Sequence, residues 1–322
     1  MEKIKWGVIG TADIAHGQTI PAMKLASNCA LYAIAGRSLE KAEQFRQEFG
    51  FEKAYGSYDE LLSDPEVQAV YIPLPNHLHC EWAIRALNAK KHVLCEKPLA
   101  LSAAEAERMF RAAEANGVHL MEAFAYLHNP LVAAVRAELE AGSIGRVRYM
   151  ESAFVTTRRP DTDIRLKKET GGGAMYDLGC YPLSMALWLM DREPASVRAV
   201  AQFSERHIDL VTTTMLMYED GAVARLDCGM ILPASRLDRL HIYGTEGEIH
   251  SPFEFNQPGE IPYTLIRGGK REERTVTAAN NYTLEVEQLG RCIQKGETPH
   301  VSKAFSLRCA AVMDAVLSEI GY

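Results

Sequence analysis

Short apolar runs alternate with longer amphipathic stretches over the first 122 residues. The runs "IKWGVIG", "ALYAIAG", "VQAVYIP", "KHVLCEK" and "VHLMEAF" are separated by segments such as "SLEKAEQFRQEFG" and "SAAEAERMFRAAEANG". This alternation predicts strands of a parallel sheet with helices on both faces. Some boundaries carry their own signals. Ser38 stands as N-cap of a helix running from Glu40 to Phe49, with Lys41 at the place of a capping-box acid, and Ser102 precedes another helix with Glu105 at the box position.

Beyond residue 122 the pattern changes. Helical spacing persists in "LVAAVRAELEAG" and "GAMYDLGCYPLSMALWLM", but strand-like runs follow one another between residues 194 and 278: "SVRAVAQF", "DLVTTTMLMY", "AVARLDCGM", "LDRLHIYG" and "PYTLIRG". The turn signals "EDGA" and "TEGE" separate several of these, as in an antiparallel sheet. The last segment, "SKAFSLRCAAVMDAVLSEIGY", repeats apolar residues at near-helical spacing and predicts a packed helix. The expected organisation is an α/β domain over residues 1–122 and an α+β domain over residues 123–322.

Composition narrows the function classes. A chain of 322 residues that is 47% hydrophobic can bury two cores. With 24% charged residues, a net charge of -7 and no basic run, a small molecule is a better partner than nucleic acid. Seven scattered cysteines without a CxxC pair argue against a secreted disulfide framework and for the cytoplasm. "MEKIKWGVIG" runs into a strand without a cleavage-like site, and no run approaches a membrane span, so a soluble, unprocessed protein is expected.

Three strand-to-helix turns carry candidate cofactor chemistry. In "GVIGTADIA", Gly10, Ala12 and Ala15 occupy the G-x-G-x-x-G/A positions, and Thr11, Asp13 and Ile14 complete a turn that could face a pyrophosphate. A tight turn with no ligand is the alternative. In "AIAGRS" no acid stands where an adenosine ribose would be gripped, while Arg37 and Ser38 can donate to a 2'-phosphate, so NADP is favoured and NAD stays open. Arg37 can also lie in solvent or stack on adenine. In "YIPLPNHLHCEWA", Pro73 and Pro75 stiffen the turn and Asn76 is the expected N-cap, and Pro73, Leu74, Asn76 and His79 are expected cofactor contacts. A metal at His77 and His79 is rejected, because no Cys or carboxylate set completes the ligands.

Two further stretches carry reactive groups. "CEKPLA" ends an apolar run on Glu96 and Lys97, with Pro98 stopping regular pairing; Glu96 reads as a tether for the loop or as part of the cofactor site. In "GGGAMYDLGCYPL", Asp177 and Tyr181 are four apart, which on a helix places them on one face. The glycines would let the backbone approach another surface, such as the cofactor. The alternative is a core tyrosine bonded to Asp177.

In this order, "GVIGTADIA", "AIAGRS", "PLPNHLH", "EKPLA", "DIRLKKETGGGAMYDLGCY" and the strand-rich tail resemble the glucose-fructose oxidoreductase/inositol dehydrogenase family along essentially the whole chain. The resemblance implies an N-terminal Rossmann domain that holds NAD(P), with a doubly wound parallel sheet. It implies a C-terminal domain built on a large open, mainly antiparallel sheet, substrate between the domains, and homodimers or homotetramers. Lys97 matches the family's catalytic lysine, and Asp177 and Tyr181 match the pair after the glycines. Tyr181, where many members carry histidine, is similar to the branch of NADP-dependent xylose dehydrogenases and dimeric dihydrodiol dehydrogenases. The chain departs from the pattern at Ala12 and at Leu127, where arginine is common.

Oxidation of a secondary alcohol needs a base for the hydroxyl proton and a cation for the oxygen. A tyrosine, with an ordinary pKa of roughly 10, is brought down by a neighbouring ammonium. Tyr181 is therefore expected to exchange the proton, Lys97 to hold the substrate oxygen, and Asp177 to orient the substrate or the lysine. Arg165 is a further candidate for substrate hydroxyls, or else a surface cation. The expected protein is an NAD(P)-dependent dehydrogenase or reductase of a sugar, polyol or vicinal diol. Its rivals are a non-catalytic dinucleotide-binding regulator, disfavoured by Lys97, Asp177 and Tyr181 together, and an NAD-dependent glycosidase, disfavoured by Arg37 and Tyr181.

Overall fold

The computed structural model describes residues 2–157, 160–232, 239–252 and 254–322. The chain folds into two units, one reaching to Ala125 and including Asn280–Leu307, the other made of Tyr126–Ala279 and Arg308–Tyr322. Residues 280–307 belong with the first unit, whereas the sequence reading places all of 123–322 in the second domain. The reason is a helix whose apolar residues Val286, Leu289 and Cys292 are buried there.

The first unit holds a six-stranded sheet. Its strands are β1 (Ile4–Ile9), β2 (Cys29–Ala35), β3 (Lys53–Tyr55), β4 (Ala69–Ile72), β5 (His92–Glu96) and β6 (Leu120–Ala123). They pair in the order β3-β2-β1-β4-β5-β6, parallel throughout. This is the doubly wound arrangement in which strand order reverses between β1 and β4. Every residue of β4 and β6 is buried, as expected of strands covered on both faces. The helices are α1 (Ile20–Leu25), α2 (Leu39–Phe49), α3 (Tyr58–Ser63), α4 (His79–Asn88) and α5 (Ala103–Asn116). Ser38 and Ser102 cap α2 and α5 as predicted, accepting from the N–H groups of Lys41 and Glu105. Strand β3, three residues of moderate exposure, escaped the sequence pattern.

The second unit begins with α6 (Pro130–Glu140), β7 (Val147–Val155) and α7 (Cys180–Met190). There follow β8 (Ser196–Phe203), β9 (Asp209–Met217), β10 (Val223–Gly229), β11 (Arg239–Gly244), β12 (Gly247–Ser251), β13 (Gly259–Arg267) and β14 (Lys270–Ala278). The eight strands pair in the order β14-β13-β12-β11-β7-β10-β9-β8, antiparallel except for β7 with β10. Burial alternates along β8 and β10, which marks a sheet with one covered face. Three strands lay outside the predicted set. Of these, β14 is an edge strand rich in charge, and β12 is short and opens on the "TEGE" turn. The predicted run over residues 237–244 is strand from Arg239; its first two residues lie outside the described residues. The chain closes with α8 (Asn281–Lys295) and α9 (Lys303–Ile320). Among the described residues no helix is long and apolar enough to cross a membrane.

Candidate functional site

In the first unit the chain leaves β1 through Gly10, whose φ of +119° lies in a region that side-chain-bearing residues rarely adopt. The Gly10 N–H donates to the Ala35 carbonyl at 2.9 Å, and a Cβ on Gly10 would stand 3.0 Å from Leu74 Cδ2. Thr11, Ala12 and Ile14 are half-buried and Asp13 is exposed. They lead into a helix that begins with a π-helical turn, Ala15–Thr19. The first N–H groups of such a helix have no acceptor within it and can face an anion. After β2, Gly36 donates to the Tyr55 carbonyl, Arg37 is exposed, and the Ser38 oxygen is engaged as a cap while its hydroxyl can still donate. A positive-φ glycine, a helix start beside it and the reversal of strand order together fit a dinucleotide.

The turn after β4 differs from expectation at Asn76. Asn76 does not cap α4. It opens a 3-10 turn, Asn76–Leu78, closed by the backbone bond from Leu78 N–H to the Pro75 carbonyl at 2.8 Å. Pro75, with its fixed φ, sets that geometry without a side-chain cap. His79 is fully buried, with Nδ1 2.8 Å from the Pro98 carbonyl oxygen and Nε2 2.7 Å from that of Leu74. Burial draws its pKa below the ordinary value against the pull of these carbonyls. A neutral imidazole donates from one nitrogen, so one of these two carbonyls accepts from His79, which lies between the loops after β4 and β5. Pro73 and Leu74 are buried, Leu74 lying against Gly10.

Lys97, half-buried, follows β5 directly and is joined to Pro98 by a cis peptide bond. Its neighbours are held on every side. The buried Glu96 accepts from the Tyr71 hydroxyl at 2.6 Å and from the Lys97 N–H at 3.3 Å, and Tyr71 accepts from Thr19 at 2.9 Å. These bonds tie Glu96 to β4 and to the start of the loop after β5. Burial, with Glu96 beside it, keeps Tyr71 protonated. On the other side Glu122 accepts from the Leu99 N–H at 2.9 Å, and burial pushes its carboxyl up to about 7. Tyr71 and Thr19 were missed by the sequence reading; a hydroxyl inside a fully apolar strand was the available signal.

In the second unit the glycines answer to the protein itself. A Cβ on Gly172 would stand 2.5 Å from the Arg165 carbonyl oxygen, and one on Gly173 would collide with Asp209 Oδ1. At these two glycines the backbone comes close to the 165–167 segment and to Asp209. Asp177 lies in a π-helical turn, Met175–Gly179, that runs into α7, and Tyr181 lies in the first turn of α7. Wider π winding means that four residues fall short of a full turn there.

Asp177 is buried, with Oδ1 3.0 Å from Arg165 Nε; Arg165 also reaches Asp163 at 3.4 Å. Arg165 is an ion-pair partner of Asp177 and stays partly exposed. Tyr181 is half-buried, and its ring meets those of Tyr126, Phe154 and Phe255 at centroid distances of 5.5, 5.0 and 5.1 Å. Tyr126 also bonds Ser184 Oγ at 2.6 Å and the Tyr181 carbonyl at 3.3 Å. Edge and tilted contacts of this kind fix a phenol ring. Leu127 is a core residue, 2% exposed.

Comparison with known proteins agrees with this geometry. Residues 4–124 match an oxidoreductase family with an NAD-binding Rossmann fold, GFO/IDH/MocA, and residues 132–250 match the GFO/IDH/MocA C-terminal domain. The chain is 35% identical over 313 residues to D-xylose 1-dehydrogenase (NADP(+)) 2 of Haloferax volcanii, across 97% of this chain and 95% of that protein. It is 31% identical over 329 residues to trans-1,2-dihydrobenzene-1,2-diol dehydrogenase of Xenopus tropicalis, across 98% of each. Among solved structures, a 3-ketoreductase from Actinomadura kijaniata in complex with TDP-benzene and NADP aligns with a TM-score of 0.90 at 32% identity, over 99% of this chain and 98% of that one. With Gly10, Lys97, Asp177 and Tyr181 on folds of these two kinds, the chain belongs to the GFO/IDH/MocA family of oxidoreductases.

Proposed function

We propose that the protein transfers a hydride between NADP and a secondary alcohol or carbonyl carbon of a sugar, polyol or vicinal diol. One observation carries the reading: the Gly10 turn and the tethered Lys97 leave the same, C-terminal edge of the parallel sheet, the edge at which dinucleotides bind. The absence of a carboxylate in the "AGRS" turn, with Arg37 exposed in it, supports NADP over NAD. The named NADP-dependent relative and the NADP-bound ketoreductase support the same choice.

A bound nicotinamide dinucleotide supplies the hydride donor or acceptor. The residues from Gly10 to Ile14 would hold its pyrophosphate, and Arg37 with Ser38 its 2'-phosphate. Lys97 carries a positive charge to the substrate oxygen as negative charge develops on it. Tyr181 accepts the hydroxyl proton in oxidation and returns it to the carbonyl oxygen in reduction. Asp177, held by Arg165, orients a substrate hydroxyl. Tyr181→Phe and Lys97→Met should bind NADPH as the parent does, read by nicotinamide fluorescence, and lose turnover by about 10²–10⁴-fold. Near-native turnover in both variants overturns the assignment. A screen of aldoses, inositols and vicinal diols with NADP and NAD, followed by absorbance of the reduced cofactor, identifies the substrate; net NADPH formation excludes the regulator and the glycosidase.

The reading extends to assembly and compartment. The uncovered face of the eight-stranded sheet carries Val200, 71% exposed, and Met215, 43% exposed, on neighbouring strands. Exposed apolar side chains on a sheet face favour a homodimer or homotetramer formed through it. All seven cysteines are buried thiols, which suits the reducing cytoplasm.

A further inference from the structure

Asp209 opens β9 and is completely buried. A carboxylate in that position needs donors, and it has them at one oxygen: Oδ2 accepts from the Met175 N–H at 2.8 Å and from the Thr212 hydroxyl at 3.0 Å. Met175 is the first residue of the π-helical turn that contains Asp177 and leads into Tyr181. The bond therefore caps that turn from a neighbouring strand, where its own N-cap position, Ala174, supplies no side-chain bond. The other oxygen, Oδ1, lies against Gly173, occupying the space a Cβ would need.

The turn is held elsewhere too. Gly173 N–H donates to the Arg165 carbonyl at 2.8 Å, and Asp177 N–H to the Gly173 carbonyl at 3.1 Å. The Tyr322 hydroxyl donates to the Gly172 carbonyl at 2.6 Å. The Arg165 side chain closes the circuit on Asp177. Moving Met175 would move Asp177 and Tyr181 together, because the turn and α7 are continuous.

We propose that Asp209 is a positioning residue for the reaction, fixing the π-helical turn so that Asp177 and Tyr181 are presented in their working geometry. The inference rests on the proposed role of Tyr181. Asp209 acts through the backbone at Met175. Small displacements of reacting groups cost rate steeply, on the order of 10²-fold for about 1 Å.

The experiment compares Asp209→Ala, Asp209→Asn and Tyr181→Phe in the full chain, each measured for kcat, substrate KM and NADPH Kd by fluorescence. Asp209→Ala should lower kcat by about 10²-fold with an unchanged NADPH Kd. Asp209→Asn, which keeps an acceptor for the Met175 N–H, should recover most of that loss. Native kcat in Asp209→Ala, or an asparagine variant no better than the alanine one, overturns the proposal. A parallel rise in NADPH Kd also overturns it, since it would mark a general loss of structure. Native turnover in Tyr181→Phe instead refutes the parent reading and is recognised separately. If Asp209→Ala does not fold, Thr212→Val removes one donor to the carboxylate at similar volume and should lower kcat by a smaller factor; native kcat there counts against the proposal.

Discussion

Gly10 combines two constraints, a φ of +119° and a Leu74 methyl 3.0 Å from the missing Cβ. Gly10→Ala should weaken NADPH binding at least tenfold in a fluorescence titration and lower stability by about 1–3 kcal/mol; unchanged affinity would remove this turn from the cofactor site. Glu122 makes a different kind of prediction. Burial lifts its carboxyl from 4.5 to about 7, so the folded protein holds that proton more tightly than the unfolded chain does. The stability due to the proton is complete below about 4.5 and is lost as pH rises through about 7, at most roughly 3 kcal/mol in all. Glu122→Gln stays neutral and can still accept from Leu99. Its melting temperature should gain on the parent's between pH 5 and pH 8, and an equal difference at both pH values would refute the argument. Lys97 was legible in sequence because its motif is local. The supports of its loop were not, since Tyr71, Glu122 and His79 come from other strands and helices to bond Glu96, Leu99 and Pro98.

Among elements, the caps separate what local chemistry settles from what it leaves open. Ser38 and Ser102 need only their own next turn to act, and both cap as read. The Glu105 carboxylate reaches back to the Leu101 N–H at 3.1 Å, completing the capping of α5 one residue further than the expected box. Ser102→Ala should cost about 1 kcal/mol in chemical denaturation, and a loss below a few tenths would mean the cap is redundant. Asn76 failed as a cap because Pro75 and a backbone bond had already closed the turn. The π-helical turn carrying Asp177 had no sequence signature. It follows from what packs on it, with Gly179 against Met175 and Cys228 and with Asp209 at its start. Strand β14 was invisible for a related reason: its charged residues pair by backbone at a sheet edge and bury little.

Across the whole molecule, the uncovered sheet face makes the broadest claim. Val200→Asp together with Met215→Arg should shift the protein to a smaller species in sedimentation velocity, while each unit keeps its fold by circular dichroism; an unchanged sedimentation coefficient moves the interface elsewhere. Strand-helix alternation, the glycine turn, the lysine before Pro98 and the Asp177–Tyr181 spacing were readable along the chain, because each depends on residues within a turn or two of one another. The return of residues 280–307 to the first unit, the pairing of Arg165 with Asp177 and the bond of Asp209 to the turn before α7 were not. Those contacts join residues far apart in the chain. Burial removes water as an alternative partner, so the fold, rather than local spacing, chooses which charge meets which.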